Sequence, residues 1–297
     1  MPTLPWDLPH RPLIVAAATP LRDEGAALDE AALWPMVRFL ADHGADGVFA
    51  CGTTGEGILL SLEERKRAAV LFRAALTRGL LIVHCGAQST ADTVELAAHA
   101  AEIGADGVAV IPPPYFPLDA GALAAHLTAA AAAAAPLPFF IYAFAARSGY
   151  PVPIEVVHRV RDAAPNLAGL KVSESPFAQV EPYLGLGLPV LVGSEPLIRP
   201  AVAAGSAGAV SGLAAAFPDF VRAALDRPDA EAEAKLTALR SAMEGQPFIA
   251  SVKHVLGRRG VPVRPDMRAP MRPLTADEAD ALDARLAELG LSEPVAG

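Results

Sequence analysis

Lys171 is the residue in this sequence with the clearest capacity for covalent chemistry. It lies inside the apolar string AGLKVS, where burying an ammonium ion is costly and desolvation lowers the pKa of the amine. Lowering that pKa by about 3 units, equivalent to about 4 kcal/mol, leaves enough neutral amine near pH 7 to attack a carbonyl carbon. The alternative is a lysine that extends its ammonium group to water or pairs with Glu174.

Tyr142 ends another apolar string, PFFIYA, which is the one that precedes AGLKVS along the chain. A phenol beside a reactive amine can pass protons between water, a carbinolamine and a substrate hydroxyl, and Schiff-base chemistry needs such transfers at several steps. The alternative is an amphipathic tyrosine that only packs in the core. Tyr142 is therefore a candidate proton relay.

The segment CGTTGEG, residues 51–57, combines glycines with the adjacent hydroxyls of Thr53 and Thr54. Exposed backbone N–H groups together with two hydroxyls form a compact receptor for an anion such as a carboxylate. A tight turn that merely needs glycine is the simpler interpretation. The whole string is nevertheless unusual for a turn alone.

Eight short apolar strings must position these side chains, and alanine-rich amphipathic stretches with helical spacing lie between them. Strands alternating with helices indicate parallel β-α units, and eight units predict an α/β fold, the (β/α)8 TIM barrel. Catalytic side chains of such barrels lie at the carboxyl ends of the strands. The strings begin at Leu13, Gly47, Leu80, Gly107, Pro138, Ala168, Pro189 and Gly208.

A weak internal repeat accompanies three of these strings: HGADGVFACG, IGADGVAVIP and AGSAGAVSGL share a helix end, a glycine and a strand entry. The first glycine of each suits the left-handed position that ends a helix. Reuse of one turn is expected of β-α units, although it does not distinguish a barrel from an open sheet.

Helical spacing continues after the eighth string, over residues 219–244, 247–259 and 275–289. We expect a catalytic barrel over residues 1–217 and a C-terminal helical extension over residues 218–297, packed on the barrel as one structural unit. No segment between them has the length of a linker.

Composition excludes several classes of protein. A chain with 53% hydrophobic and 19% charged residues is expected to fold. A net charge of -9 argues against nucleic acid and anionic membranes as partners. Cys51 and Cys85 have no paired spacing and no histidine cluster near them, so we expect no disulfide framework and no metal site.

Targeting signals are also not expected. The N-terminus lacks the basic and apolar segments of a signal peptide. The apolar run over residues 127–146 is interrupted by Pro136 and Pro138, so it indicates a helix end, a turn and a buried strand rather than a membrane span. The prediction is a cytoplasmic protein with reduced cysteines.

The motifs GTTGE, a strand-end tyrosine followed by an arginine, and GLK occur in this order, and over nearly the whole chain the sequence resembles the dihydrodipicolinate synthase and N-acetylneuraminate lyase family of class I aldolases. The resemblance implies that Lys171 is the Schiff-base lysine and Tyr142 the relay phenol. It also implies that Thr53 and Thr54 hold the carboxylate of pyruvate, with the Thr54 hydroxyl in the relay. The backbone near Val210 would line the pyruvate site.

The resemblance is weaker on the side of the second substrate. Arg147 falls where the family's arginine binds a carboxylate, or is a charge on a surface loop. The segment PPYF ends in Phe116, where the synthases carry a tyrosine that completes the hydroxyl relay across a subunit interface, so that relay is expected to be incomplete. Glu195 would contact substrate hydroxyls or pair with Arg199, and Ser211 is a comparable contact.

The resemblance implies a lyase that joins pyruvate to an aldehyde or sugar-acid partner, or releases it, with no cofactor beyond the lysine imine and no metal. A homo-oligomer, dimer or tetramer, is expected. The alternatives are 4-hydroxy-tetrahydrodipicolinate synthase itself, an aldolase or dehydratase of 2-oxo-3-deoxy sugar acids, and a barrel that binds phosphate through VGSE and AVSG. An inactive barrel that serves as a sensor or scaffold is the alternative of another class.

Overall fold

A computed structural model describes residues 4–291 of the chain. Eight parallel strands close into a barrel in which each strand pairs with its neighbours in sequence and the last pairs with the first. The TIM-barrel prediction is confirmed, and each predicted apolar string overlaps one strand. The strands β1 to β8 are Leu13–Ala16, Gly47–Ala50, Leu80–His84, Gly107–Val110, Phe139–Ala143, Leu167–Val172, Val190–Val192 and Gly208–Ser211.

Successive side chains of each strand point to opposite faces of the sheet, and this alternation divides the core into two clusters. Inward-facing side chains, among them Ile14, Phe49 and Ile82, fill the barrel interior. Side chains of the opposite face, such as Val48 and Leu81, pack against the surrounding helices. The interior is therefore packed, and polar inward-facing groups are found near the strand ends.

A helix follows each strand and packs outside the barrel. The left-handed glycines predicted between helix and strand are confirmed, since Gly44, Gly104 and Gly205 have φ of 92°, 70° and 95°. The helices α1 to α8 are Glu30–Asp42, Leu62–Ala75, Thr90–Glu102, Ala120–Ala134, Ile154–Ala163, Phe177–Leu184, Ile198–Ala203 and Pro218–Asp226.

Within the predicted extension over residues 218–297, α8 follows β8 as the eighth barrel helix. The C-terminal extension proper contains α9 (Ala230–Glu244), α10 (Phe248–Arg258) and α11 (Ala276–Glu288). The α9 and α10 helices pack on the turns that follow β7 and β8, at the carboxyl end of the barrel. The helical stretch predicted over residues 219–244 is helical but consists of two helices, because Pro228 forces the preceding backbone out of the helical region and Asp229 caps a new helix.

The apolar run over residues 127–146 forms the end of α4, a turn and the buried strand β5, as predicted. Among residues 4–291, no helix combines the length and apolar character that a membrane crossing requires. Cys51 and Cys85 are buried free thiols.

Candidate active site

Lys171 and Tyr142 lie side by side at the carboxyl end of the barrel. Strands β5 and β6 are hydrogen-bonded neighbours, and their register places Tyr142 directly opposite Lys171. Both side chains point inward and are buried, with 4% of Lys171 and 2% of Tyr142 exposed. The strand order alone predicts this juxtaposition, and the register brings the two residues to the same level.

The amine of Lys171 is held between two aromatic rings. Its Nζ lies 3.9 Å from the ring centroid of Phe49 and 3.9 Å from that of Tyr142. Burial lowers the pKa of Lys171 to about 7, and the negative charge of Glu195 opposes the shift. A lysine in this environment is substantially neutral at physiological pH and can act as a nucleophile.

The phenol of Tyr142 reaches toward the carboxylate receptor predicted in CGTTGEG. Its Oη lies 3.5 Å from Oγ1 of Thr53. Burial raises the pKa of Tyr142, and the neighbouring hydroxyls of Thr53 and Ser173 and the charge of Arg147 oppose that shift. The phenol therefore stays protonated near neutral pH and can pass a proton along a chain of hydroxyls.

The CGTTGEG loop follows β2 and is tightly folded. Cys51 and Glu56 both have left-handed backbone, with φ of 58° and 56°. A Cβ on Gly57 would lie 1.8 Å from the carbonyl oxygen of Cys51, so only glycine fits there. The Thr19 hydroxyl donates to the carbonyl of Gly55 over 2.7 Å, which fixes the loop against the end of β1.

Thr53 and Thr54 lie at the centre of this loop, at the mouth of the barrel. Thr54 is buried, and a Cβ built on Gly212 would lie 3.1 Å from its hydroxyl oxygen, so Thr54 faces the segment after β8. Thr53 is half-buried and faces Tyr142. Val210 is buried in the barrel interior on β8, across the mouth from Tyr142.

Glu195 is buried, and both of its carboxylate oxygens have partners. Its Oε1 accepts the Ser211 hydroxyl at 2.7 Å and the backbone N–H of Leu213 at 2.9 Å, and its Oε2 accepts from Arg240 at 3.0 Å. Of the two alternatives for Glu195, the pairing with Arg199 is wrong.

Arg199 instead pairs with Glu233, because α9 of the C-terminal extension carries both partners, Glu233 for Arg199 and Arg240 for Glu195. The sequence offers no local signal for a pairing between segments so far apart. Glu195 and Ser211 therefore bond to each other beside the mouth.

Arg147 lies on the short helix Ala145–Ser148 that directly follows β5. Its side chain is exposed, with the guanidinium carbon 5.7 Å from the ring centroid of Phe144. Because this helix begins two residues after the end of β5, Arg147 stands on the rim of the same mouth, where its charge opposes the rise in the pKa of Tyr142 caused by burial.

Three further side chains belong to the site and were not predicted from the sequence: Phe49, Ser173 and His84. His84 ends β3, and its Nδ1 donates to the carbonyl of Cys51 over 3.1 Å, because a carbonyl can only accept. Burial, then the charges of Arg65 and Lys171, hold the pKa of His84 well below its usual value. The available signal was a polar residue inside the apolar string LLIVHC, which is the same kind of signal that marks Lys171 inside AGLKVS.

Among residues 4–291, no cluster of histidine, cysteine and carboxylate side chains has the arrangement of a metal site. What the barrel mouth brings together is a buried amine of lowered pKa, a phenol, and a loop with two hydroxyls. This set can form an imine with a carbonyl compound that also carries a carboxylate.

The sequence matches the model of the dihydrodipicolinate synthetase family over residues 10–289. An uncharacterized DapA-like lyase from Halobacterium salinarum is 35% identical over 283 residues, covering 91% of this chain and 91% of that protein.

Solved structures agree over almost the full length. YagE, a prophage protein of the dihydrodipicolinic acid synthase family from E. coli K12 in complex with pyruvate, superposes with a TM-score of 0.89 and 25% identity, covering 96% of this chain and all of that one. Proteus mirabilis N-acetylneuraminate lyase superposes with a TM-score of 0.85 and 27% identity, covering 95% of this chain and 99% of that chain.

Proposed function

The chain belongs to the dihydrodipicolinate synthetase family, and from this membership we propose that it is a lyase in which Lys171 forms an imine with pyruvate. The observation that carries the proposal is the desolvated Lys171 amine, whose pKa is about 7, beside the phenol of Tyr142. Structures similar to this chain include a protein in complex with pyruvate and an N-acetylneuraminate lyase, which supports pyruvate as the 2-oxo acid.

The proposed reaction begins when neutral Nζ of Lys171 attacks C2 of pyruvate and the former carbonyl oxygen gains a proton. The carbinolamine loses water to give the imine, and loss of a proton from C3 gives an enamine. C3 then bonds to the carbonyl carbon of an aldehyde, whose oxygen takes up a proton, and water releases the product from Lys171. Tyr142 carries the protons in these steps. Its phenol is hydrogen-bonded to Thr53, and the hydroxyl of Thr54 is proposed to belong to the same relay.

The carboxylate of pyruvate is proposed to bind the CGTTGEG loop through the hydroxyls of Thr53 and Thr54. Val210 would close the opposite side of the pyruvate pocket. The loop's fixed fold supports this assignment, because a preorganised receptor holds the keto carbon near the amine without further ordering.

The pH dependence of imine formation follows from the pKa of Lys171. With that pKa at about 7, the neutral amine is the minor form below neutral pH, and its fraction falls tenfold for each further pH unit. Trapping with pyruvate and cyanoborohydride is therefore expected to speed up by about tenfold per unit below pH 6 and to level off above pH 8. A trapping rate, at subsaturating pyruvate, that still climbs between pH 8 and 9 would contradict the depressed pKa.

Tyr115 is proposed to supply the relay hydroxyl that Phe116 lacks. Tyr115 is 83% exposed and has left-handed backbone, with φ of 82°, a conformation that a large side chain adopts only where the surroundings require it. In a homo-oligomer, which the exposed Tyr115 and Phe116 favour, this hydroxyl would enter the mouth of a partner subunit.

Tyr115→Phe is accordingly expected to lower kcat by about 10²-fold, because one proton carrier is lost while the ring and its packing remain. Steady-state assays of the variant measure this, and Phe116→Leu is the matched control that leaves the relay hydroxyl in place. Wild-type kcat in Tyr115→Phe, with the oligomer intact in gel filtration, would remove Tyr115 from the relay.

The second substrate is proposed to be an aldehyde or a sugar acid that meets Arg147 on the rim. An exposed guanidinium beside the mouth suits a second carboxylate. Glu195 and Ser211 are hydrogen-bonded to each other, so they would contact that substrate only after this bond is weakened or broken. We propose a cytoplasmic location, because a reducing compartment would keep the free thiols of Cys51 and Cys85 reduced.

A panel of aldehydes with pyruvate, and of 2-oxo-3-deoxy acids alone, tests the proposed function. Pyruvate consumed or released is the readout, and turnover of at least one pair is expected. Activity restricted to the aldehyde used by 4-hydroxy-tetrahydrodipicolinate synthase would identify the synthase alternative. Loss of water without carbon-carbon cleavage would identify a dehydratase. No pyruvate chemistry with any compound would favour the sensor or scaffold alternative.

A further inference from the structure

A fully buried ion pair lies directly behind the proposed carboxylate receptor. Nζ of Lys253 on α10 donates to Oε1 of Glu56 over 2.5 Å, and neither side chain is exposed to solvent. Glu56 is the acidic residue of CGTTGEG, two positions after Thr54. Burying two charges is costly, so such a pair is weak support for stability and needs another explanation.

Backbone groups of the C-terminal extension also bind both members of this ion pair. Oε2 of Glu56 accepts the backbone N–H of Arg268 at 2.7 Å, and Lys253 also donates to the carbonyl of Asp266 at 2.6 Å. Both oxygens of the carboxylate are therefore engaged by residues more than 190 positions away in sequence. Burial lowers the pKa of Lys253, and Glu56 opposes that shift.

The position of Glu56 affects the backbone of the whole CGTTGEG loop. Its backbone is left-handed, and its N–H donates to the carbonyl of Thr53 over 3.1 Å. The N–H of the next residue, Gly57, donates to the carbonyl of Gly52 over 3.1 Å. A shift of Glu56 would therefore move the backbone on both sides of Thr53 and Thr54. Hydrogen bonds to a charged group are about twice as strong as neutral ones, so misplacing the two threonine hydroxyls is expected to weaken binding of a carboxylate by about tenfold or more.

We propose that the Glu56–Lys253 pair is a positioning device that sets the geometry of Thr53 and Thr54, and with it the affinity of the site for the 2-oxo acid carboxylate. The inference rests on the proposed function. It makes the C-terminal extension part of the binding machinery, because the extension supplies Lys253 and the two backbone groups that hold the pair in place. A purely structural role would change stability and leave pyruvate affinity alone.

The test compares the double variant Glu56→Gln/Lys253→Met with the wild type and with Arg258→Met. Replacing both charges avoids an unpaired buried ion, so the double variant is expected to fold. Arg258 lies on the same helix as Lys253 but pairs with Asp283 at the surface, which makes it a matched control. The readouts are thermal melting and the pyruvate concentration that gives half-maximal adduct in cyanoborohydride trapping.

The double variant is expected to raise that half-saturating concentration by about tenfold or more, with a maximal trapping rate close to wild type, while Arg258→Met changes neither. Glu56→Asp keeps the charge and shortens the side chain, and it is expected to shift the same concentration in the same direction. Wild-type half-saturation in either folded variant would overturn the proposal. Absence of any adduct in the wild type would instead overturn the proposed function.

Discussion

Lys171→Ala is expected to abolish lyase turnover, lowering kcat by about 10⁴-fold or more, because the variant has no amine to form the imine and no other group replaces a covalent nucleophile. The buried position of Lys171 also argues against rescue by another lysine. Its Nζ lies 3.9 Å from the ring centroids of Phe49 and Tyr142, so no solvent-exposed lysine can take its place without repacking the barrel mouth. Pyruvate release in a coupled assay measures the loss.

Lys171→Met is the matched variant that separates chemistry from packing. Methionine fills much of the volume of the lysine stem, and an apolar side chain removes the cost of burying an amine. We expect a melting temperature equal to or above that of the wild type and the same loss of turnover. Residual activity near wild type in either variant would show that the reaction does not pass through Lys171.

Tyr142→Phe is expected to lower kcat by about 10²- to 10³-fold, because the phenol is the proposed carrier of protons into and out of the carbinolamine. The phenyl ring that packs against Nζ of Lys171 is preserved, so the pKa of the lysine should change little. Imine formation and turnover should therefore slow while half-saturation by pyruvate stays close to that of the wild type. Single-turnover trapping and steady-state kinetics measure the two effects.

Tyr183→Phe is a matched control for this prediction. Tyr183 is also buried, but it belongs to the core cluster outside the barrel interior, and its Oη donates to the carbonyl of Val152 over 2.7 Å. Losing that hydrogen bond is expected to cost about 1 kcal/mol of stability with no change in kcat. If Tyr142→Phe behaves like Tyr183→Phe, the phenol of Tyr142 has no part in proton transfer.

The barrel could be predicted because its physical signals are local. Each strand coincides with a short apolar string, and Gly44, Gly104 and Gly205 occupy the left-handed turns that the repeated segments indicate. The break between α8 and α9 was missed although its signal is local too: Pro228 followed by the capping residue Asp229. Because the periodicity is helical on both sides of Pro228, the two helices resemble one in sequence, although the proline ends the first of them.

The site was predictable only in part, since its residues meet through strand order. Lys171 and Tyr142 follow from their strands, because neighbouring strands of a parallel barrel bring their carboxyl ends together. The partners of Glu195 and Glu56 could not be predicted. Arg240 and Lys253 come from helices whose packing on the barrel has no counterpart in local sequence.

Reductive trapping on the wild-type protein tests the central claim most directly. Incubation with pyruvate and cyanoborohydride, followed by peptide mass analysis, is predicted to add the mass of one reduced pyruvyl group to Lys171 and to leave buried Lys253 unmodified. Lys171→Met should show no adduct under the same conditions. An unmodified Lys171, or an adduct of equal yield on another lysine, would contradict Schiff-base chemistry at this site.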